Sequence, residues 1–190
     1  MRDYPDRLLH GVRRASANRA LAKLPPPTSV VFVCYGNVCR SPFAAALFAD
    51  IVRSRNIRVI SSSAGFFGPG RQPPQSALDA SSRRRINLAA HRSKLVTHPT
   101  VRAADLIVVM APEQARSLRA LLGALRAPVL VLGDLDPESI ESRTIPDPWG
   151  ESDVVFDKSY DRIDRCVHEL ARLLSGNAPG GQRETALAGT

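Results

Sequence analysis

The sequence predicts an α/β fold: a four-stranded parallel sheet flanked by helices on both faces, with an N-terminal helical extension. Three observations carry this. Short apolar runs alternate with stretches of helical period. The first run, "SVVFVC", is apolar nearly throughout, as a strand covered on both faces must be. Gly- and Pro-rich turns separate the segments. Strand–helix alternation implies parallel pairing through helical crossovers, with ligands bound beyond the carboxyl ends of the strands.

In chain order, residues 1–27 form a basic extension, partly helical, with Leu8, Leu9, Val12, Leu21 and Leu24 at loosely helical spacing. It ends at the stiff "LPPPTS". The domain proper spans 28–175. Its first strand is 29–34, followed by a helix over 41–54 with Ser41 at the cap and Pro42 in the first turn. "IRVISS" (57–62) reads as the second strand, then a loop "AGFFGPGRQPP" and a helix near 75–85. "ADLIVVM" (104–110) is a third strand opening onto the helix "PEQARSLRALLG", and "APVLVLG" (127–133) a fourth. Turn chemistry runs through 134–152. The last helix, about 154–175, places Tyr160, Ile163, Val167, Leu170 and Leu174 on one stripe, with Cys166 on or beside it as a core residue. Residues 176–190 have the composition of a disordered tail.

The net charge of +8 is almost all arginine. The arginines are scattered, and neither a zinc spacing nor an RNA-binding aromatic signature is present, so no nucleic-acid partner is expected. No apolar run approaches the roughly 20 residues of a membrane span. The start lacks a secretory pattern, and the cytoplasm is the expected location. Three cysteines, Cys34, Cys39 and Cys166, are too few for a disulfide framework and have no metal-site spacing. A reducing compartment with one reactive thiol fits them.

The chemistry concentrates in "VCYGNVCRSP". Cys34 ends the first strand, and Arg40 follows after five residues at the mouth of a helix. Such a spacer can wrap into a nest of inward N–H groups at a helix N-terminus, a site for anions that also favours thiolate over thiol. Arg40 offers a planar fork for two oxygens of a tetrahedral oxyanion. Ser41 can donate to the thiolate, and Gly36 and Asn37 tolerate the left-handed backbone of a tight wrap. The Gly pattern of a dinucleotide loop and the Gly-Lys-Ser/Thr of an ATP-binding loop are absent. A lone cysteine at a strand end is ordinarily structural; arginine and serine at these offsets argue for a nucleophile beside a phosphate cradle.

This segment resembles the signature of the low-molecular-weight protein tyrosine phosphatases, Val-Cys-x-Gly-Asn-x-Cys-Arg-Ser-Pro, at every fixed position, and the likeness spans about 29–175. The resemblance implies that family's fold, no metal and no cofactor, and hydrolysis of phosphotyrosine through a phosphocysteine formed on Cys34. "PDPW" resembles the family's acid loop, which makes Asp147 the general acid and base. "SSAG" and "HRSKL" resemble segments that would place Ser63 behind Asn37 and His91 as a supporting residue. Ala111 stands where the family commonly has a loop-bracing acid. Tyr35, Gly36, Asn37, Val38, Cys39 and Trp149 would line the substrate pocket, with Tyr35 and Trp149 as aromatic walls and Tyr35 narrowing the slot. Cys39 matches a second loop cysteine that can pair with the nucleophile on oxidation.

Partners implied by the resemblance are a phosphotyrosine protein, with a bacterial-type tyrosine kinase or its substrates as candidates, and phosphate or other oxyanions as inhibitors. The related protein arginine phosphatases look to carry threonine where this chain has Val38, which favours phosphotyrosine here. Thioredoxin-coupled arsenate reductases share the loop but need two further cysteines after the second strand, and residues 62–110 contain none. A catalytically retired phosphate-binding module, or an interaction protein acting through the basic N-terminus, are the readings outside enzymology.

Overall fold

The structure, a computed structural model, describes residues 4–176; the expected disordered tail lies outside the described residues from 177 onward. Helix α1 (Tyr4–Ala22) precedes β1 (Ser29–Cys34), α2 (Arg40–Ser54), β2 (Ile60–Gly65), α3 (Gln75–Arg83) and α4 (His98–Arg102). Then come β3 (Leu106–Val109), α5 (Pro112–Leu122), β4 (Val129–Val131), a 3-10 turn (Leu132–Leu135) and α6 (Asp153–Ser175). The four strands form one parallel sheet in the order β2-β1-β3-β4. β1 lies inside it, so its neighbours β2 and β3 depart to opposite sides. The carboxyl ends of β1 and β3 therefore flank the switch point where open α/β sheets bind ligands.

Each face of the sheet is covered, which is why β1 carries almost no polar residue. Alternate residues Val30, Phe32 and Cys34 face a core shared with α1, α2, α3 and α6, while Val31 and Val33 face the smaller core under α4 and α5. Phe32 packs on Phe48 of α2, and Phe43 stacks on Tyr160 of α6 with ring centroids 4.1 Å apart. The stripe Tyr160, Ile163, Val167, Leu170 and Leu174 is buried together with Cys166.

Three features differ from the sequence reading. The second strand is "ISSSAG" over Ile60–Gly65, not 57–62. Ile57 and Val59 do pack on the core, but from the approach to the strand, while the edge strand itself is largely serine and leaves Ile60 exposed. Apolar content therefore placed it three residues early. Helix α4 is too short for a periodic signal; Thr97 caps it by accepting from Thr100 N, and Pro99 sits in its first turn. In α1 the buried apolar positions are Ala17 and Leu21, whereas Leu8, Leu9 and Val12 face outward. Polar contacts supply the rest of its docking: His10 Nε2 donates to Asp136 O at 3.0 Å, Arg14 pairs with Glu169 at 2.9 Å, and Arg143 N donates to Asp6 at 3.0 Å.

Candidate active site

Cys34 is the last residue of β1, and α2 begins at Arg40, so the chain turns back in five residues. Asn37 makes the turn with φ 50°, a left-handed conformation that asparagine tolerates. Its side chain fixes the wrap from three directions. Nδ2 donates to Ser41 Oγ and to Ser63 Oγ, each at 2.9 Å, and Oδ1 accepts from Lys94 N at 2.7 Å. His91 Nε2 meets Asn37 O at 2.8 Å; a carbonyl only accepts, so the proton is on Nε2. Burial, with Lys94 and Arg92 nearby, pushes the His91 pKa below its ordinary value against the opposing effect of that hydrogen bond. The loop rests on Gly65, where a Cβ would stand 2.6 Å from Tyr35 O and 2.8 Å from Asn37 N.

Ser41 does not cap α2. Cys39 is the N-cap, and it makes no side-chain cap bond. The Ser41 hydroxyl lies instead 3.1 Å from Cys34 Sγ. Because it accepts from Asn37 Nδ2, its proton is available to the sulfur, with Ala64 O as a longer alternative at 3.4 Å. Asn37 N also donates to Cys34 Sγ at 3.3 Å, so the sulfur receives two donors.

Arg40 is buried, and its guanidinium is held at both ends. Nη1 donates to Ile145 O at 3.0 Å and Nη2 pairs with Asp147. Its Nε is buried without a hydrogen-bond partner, an unsatisfied donor that an oxyanion on the loop would meet. Asp147 stands at the surface end of this pair, with its side chain 44% exposed and Oδ1 accepting from Trp149 N at 3.4 Å. The segment leading to it is tied down from α6: Arg162 donates to Ser142 O at 2.7 Å and Thr144 O at 2.9 Å while pairing with the fully buried Asp136.

A pocket of about 240 Å³ opens above the sulfur, lined by Cys34, Tyr35, Gly36, Val38, Cys39, Asp147 and Trp149, with Phe67 and Arg71 completing it. Of the residues expected to line the substrate pocket all do except Asn37, which is fully buried behind the loop, as Ser41 is and as Arg40 nearly is. Tyr35 leans on Phe66 and Phe67 at centroid distances of 5.8 and 6.3 Å, and Trp149 is exposed at the rim. Cys39 is buried beside Cys34, and both are free thiols. Burial first, then the neighbouring Cys34 and Asp147, push the Cys39 thiol pKa up, which keeps it protonated.

Three contributors escaped the sequence reading. Phe67 is a third aromatic in the pocket. Arg71 Nη2 donates to Gly36 O at 2.8 Å, and Tyr160 Oη donates to Cys39 O at 3.1 Å. The lone arginine in "GPGRQPP" and the hydroxyl on an otherwise apolar stripe were the available signals.

A thiol and an arginine presented at a helix N-terminus, on the switch point of a parallel sheet, define a cysteine-based oxyanion site. Comparison with known proteins narrows this class. The family model described as low molecular weight phosphotyrosine protein phosphatase matches residues 29–179. The chain is 34% identical over 145 residues to the low molecular weight phosphotyrosine protein phosphatase of Sus scrofa, covering 73% of this chain and 90% of that protein. It is 30% identical over 146 residues to the protein-arginine-phosphatase of Bacillus subtilis, covering 76% and 95%. A crystal structure of a YwlE mutant from Bacillus subtilis matches with a TM-score of 0.71 at 29% identity, covering 78% of this chain and 99% of that one. The chain belongs to the low molecular weight phosphotyrosine protein phosphatase family and is a phosphoric monoester hydrolase. Among the described residues no helix is long and apolar enough to cross a membrane.

Proposed function

We propose that the protein hydrolyses phosphotyrosine in two steps through a phosphocysteine on Cys34. The Cys34 thiolate attacks phosphorus, forming the S–P bond as the P–O bond to the phenol breaks. Asp147, protonated at that stage, gives its proton to the departing phenolate. In the second step Asp147 takes a proton from water, whose oxygen displaces the sulfur and releases phosphate. Arg40 and the loop N–H groups hold the equatorial oxygens throughout, and the hydroxyl of Ser41 stabilises the sulfur as nucleophile and as leaving group. The observation that carries this reading is that Cys34 and Asp147, 113 residues apart, line one pocket, with the buried Arg40 ion-paired to Asp147.

Three aromatic side chains at the pocket, Tyr35, Phe67 and Trp149, suit a flat phenyl ring. The likeness to a protein-arginine-phosphatase supports a second reading, phosphoarginine hydrolysis, and Val38 is the side chain at issue. Turnover of phosphotyrosine, phosphoserine and phosphoarginine peptides by wild type and Val38→Thr separates the two. Preference for phosphotyrosine in the wild type, moving toward phosphoarginine in the variant, is expected. A wild type that prefers phosphoarginine overturns the first reading.

Ser63 and His91 support the loop through Asn37 rather than touching substrate. Cys39 serves as a redox partner: oxidation of Cys34 to the sulfenic acid is followed by attack of the Cys39 sulfur, giving a disulfide and water. Peroxide inactivation should then be reversed by dithiothreitol in wild type and not in Cys39→Ala; equal recovery in both would rule the role out. A reactive thiol of this kind works in a reducing compartment, so we place the protein in the cytoplasm. Its partners there are phosphotyrosine proteins, with a bacterial-type tyrosine kinase or its substrates as the class to test, and free phosphate as a competitive inhibitor.

A further inference from the structure

A cradle of backbone N–H groups works only if the carbonyls of the same loop are turned away from the anion. In a trans peptide the C=O of one residue and the N–H of the next point in opposite directions. Whatever holds the carbonyl outward therefore aims the following N–H inward. Three carbonyls of the phosphate loop are held by donors from elsewhere in the chain: Gly36 O by Arg71 Nη2 at 2.8 Å, Asn37 O by His91 Nε2 at 2.8 Å and Cys39 O by Tyr160 Oη at 3.1 Å. The Gly36–Asn37 peptide shows the coupling directly. Its carbonyl sits on Arg71, and its N–H donates to Cys34 Sγ at 3.3 Å.

We propose that Arg71 and Tyr160 are positioning residues of the phosphate loop, pinning the Gly36 and Cys39 carbonyls so that the N–H groups of Asn37 and Arg40 face the nucleophile and the phosphate. The inference rests on the phosphatase reading of the pocket. Tyr160 is built for it. The ring is fully buried, stacked on Phe43, edge-on to Phe156 at 6.0 Å and covered by the Arg84 guanidinium at 5.8 Å. Arg84 is itself paired with Asp157 and Asp161 on the same helix, which clamps the ring in place. Burial raises the phenol pKa, so the hydroxyl stays a donor. Packing accounts for the ring but not for the hydroxyl, whose partner is the carbonyl just before Arg40, held otherwise by the longer helix bond from Phe43 N at 3.4 Å.

Arg71 acts from the other side of the loop. Its guanidinium also donates to Gly68 O and Phe67 O, each at 3.3 Å, joining the phosphate loop to the loop that carries Phe67. Its own backbone is fixed by Ser93: Arg71 N donates to Ser93 Oγ at 2.9 Å, and Ser93 N donates to Arg71 O at 2.9 Å. The arm is exposed, but its base and its tip are both held.

The test is the inhibition constant of inorganic phosphate against p-nitrophenyl phosphate for wild type, Tyr160→Phe and Arg71→Met, with kcat, KM and a thermal melt for each. Measurement in about 0.5 M salt screens the lost charge of Arg71; Tyr160→Phe changes no charge. One lost hydrogen bond of this kind corresponds to a phosphate affinity about fivefold weaker in each variant. The expected result is that loss, with kcat/KM falling at least as far, at temperatures well below the melt. Wild-type phosphate inhibition in both variants, whatever their melting temperatures, overturns the positioning role. A wild type that neither binds phosphate nor turns over the ester overturns the phosphatase reading instead.

Discussion

Arg40 and Asp147 are ion-paired across the mouth of the pocket, although 107 residues separate them in the chain. In the mechanism proposed above, the buried oxyanion clamp and the exposed proton donor are thus each other's partner before substrate arrives. On that mechanism a bound phosphate dianion would take the place of the carboxylate on Arg40 and free Asp147 for the departing oxygen. The carboxylate paired with the arginine is thus supplied by the acid loop itself.

Asp147→Asn separates the two roles. Loss of the proton donor should lower kcat on a phenyl phosphate by about 10²–10⁴. Release of Arg40 should leave inhibition by inorganic phosphate as strong as in wild type or stronger. Steady-state kinetics with phosphate as inhibitor reads both, and weaker phosphate binding would show that Asp147 is not competing for the arginine.

Gly65 sets how closely the phosphate loop can approach the sheet. A Cβ there would overlap the backbone at Tyr35 O and Asn37 N, atoms of the loop itself with no flexible side chain to yield. Gly65→Ala should cost about 1–3 kcal/mol in urea unfolding. Activity should fall further than that loss explains, because the displaced atoms frame the nucleophile. A variant with wild-type kcat/KM would contradict the close packing described.

His91 predicts a pH dependence of stability. Its pKa is lowered in the folded state, chiefly by burial, so on acidification the unfolded chain binds a proton first. The stabilisation is present above the ordinary histidine value of about 6.5 and is lost as pH falls through the lower folded value. His91→Gln keeps a donor for Asn37 O and removes the titration. Urea midpoints between about pH 7 and 5 should therefore fall more steeply in wild type than in the variant. Parallel slopes would place the His91 titration outside the folding equilibrium.

The contiguous part of the site was legible because its chemistry is local: a strand end, a tight wrap and a helix start compress Cys34, Asn37, Arg40 and Ser41 into eight residues. Residue types at fixed offsets carry that information. Arg71 and Tyr160 were not legible, since both act on backbone carbonyls, which no side-chain pattern marks. Tyr160 also fits the apolar stripe of α6, so in the sequence its ring masks its hydroxyl. The fold followed the same division. The buried strand β1 announced itself by composition, whereas the serine-rich edge strand β2 takes its place from pairing with β1, residue for residue from Ser29 with Ile60 to Cys34 with Gly65. Ser41 lies inside α2 and not at its cap, because its hydroxyl meets Cys34 and Asn37 instead of the helix end.

The proposed mechanism requires that Cys34 carry the phosphoryl group. Wild-type protein mixed with a phenyl phosphate and quenched in acid within its first turnovers should show, by peptide mass spectrometry, a phosphate adduct on the fragment containing Cys34. Cys34→Ser should lose steady-state turnover, and the adduct should not appear on any other cysteine. Undiminished turnover by Cys34→Ser, or an adduct located on another residue of the wild type, would contradict it.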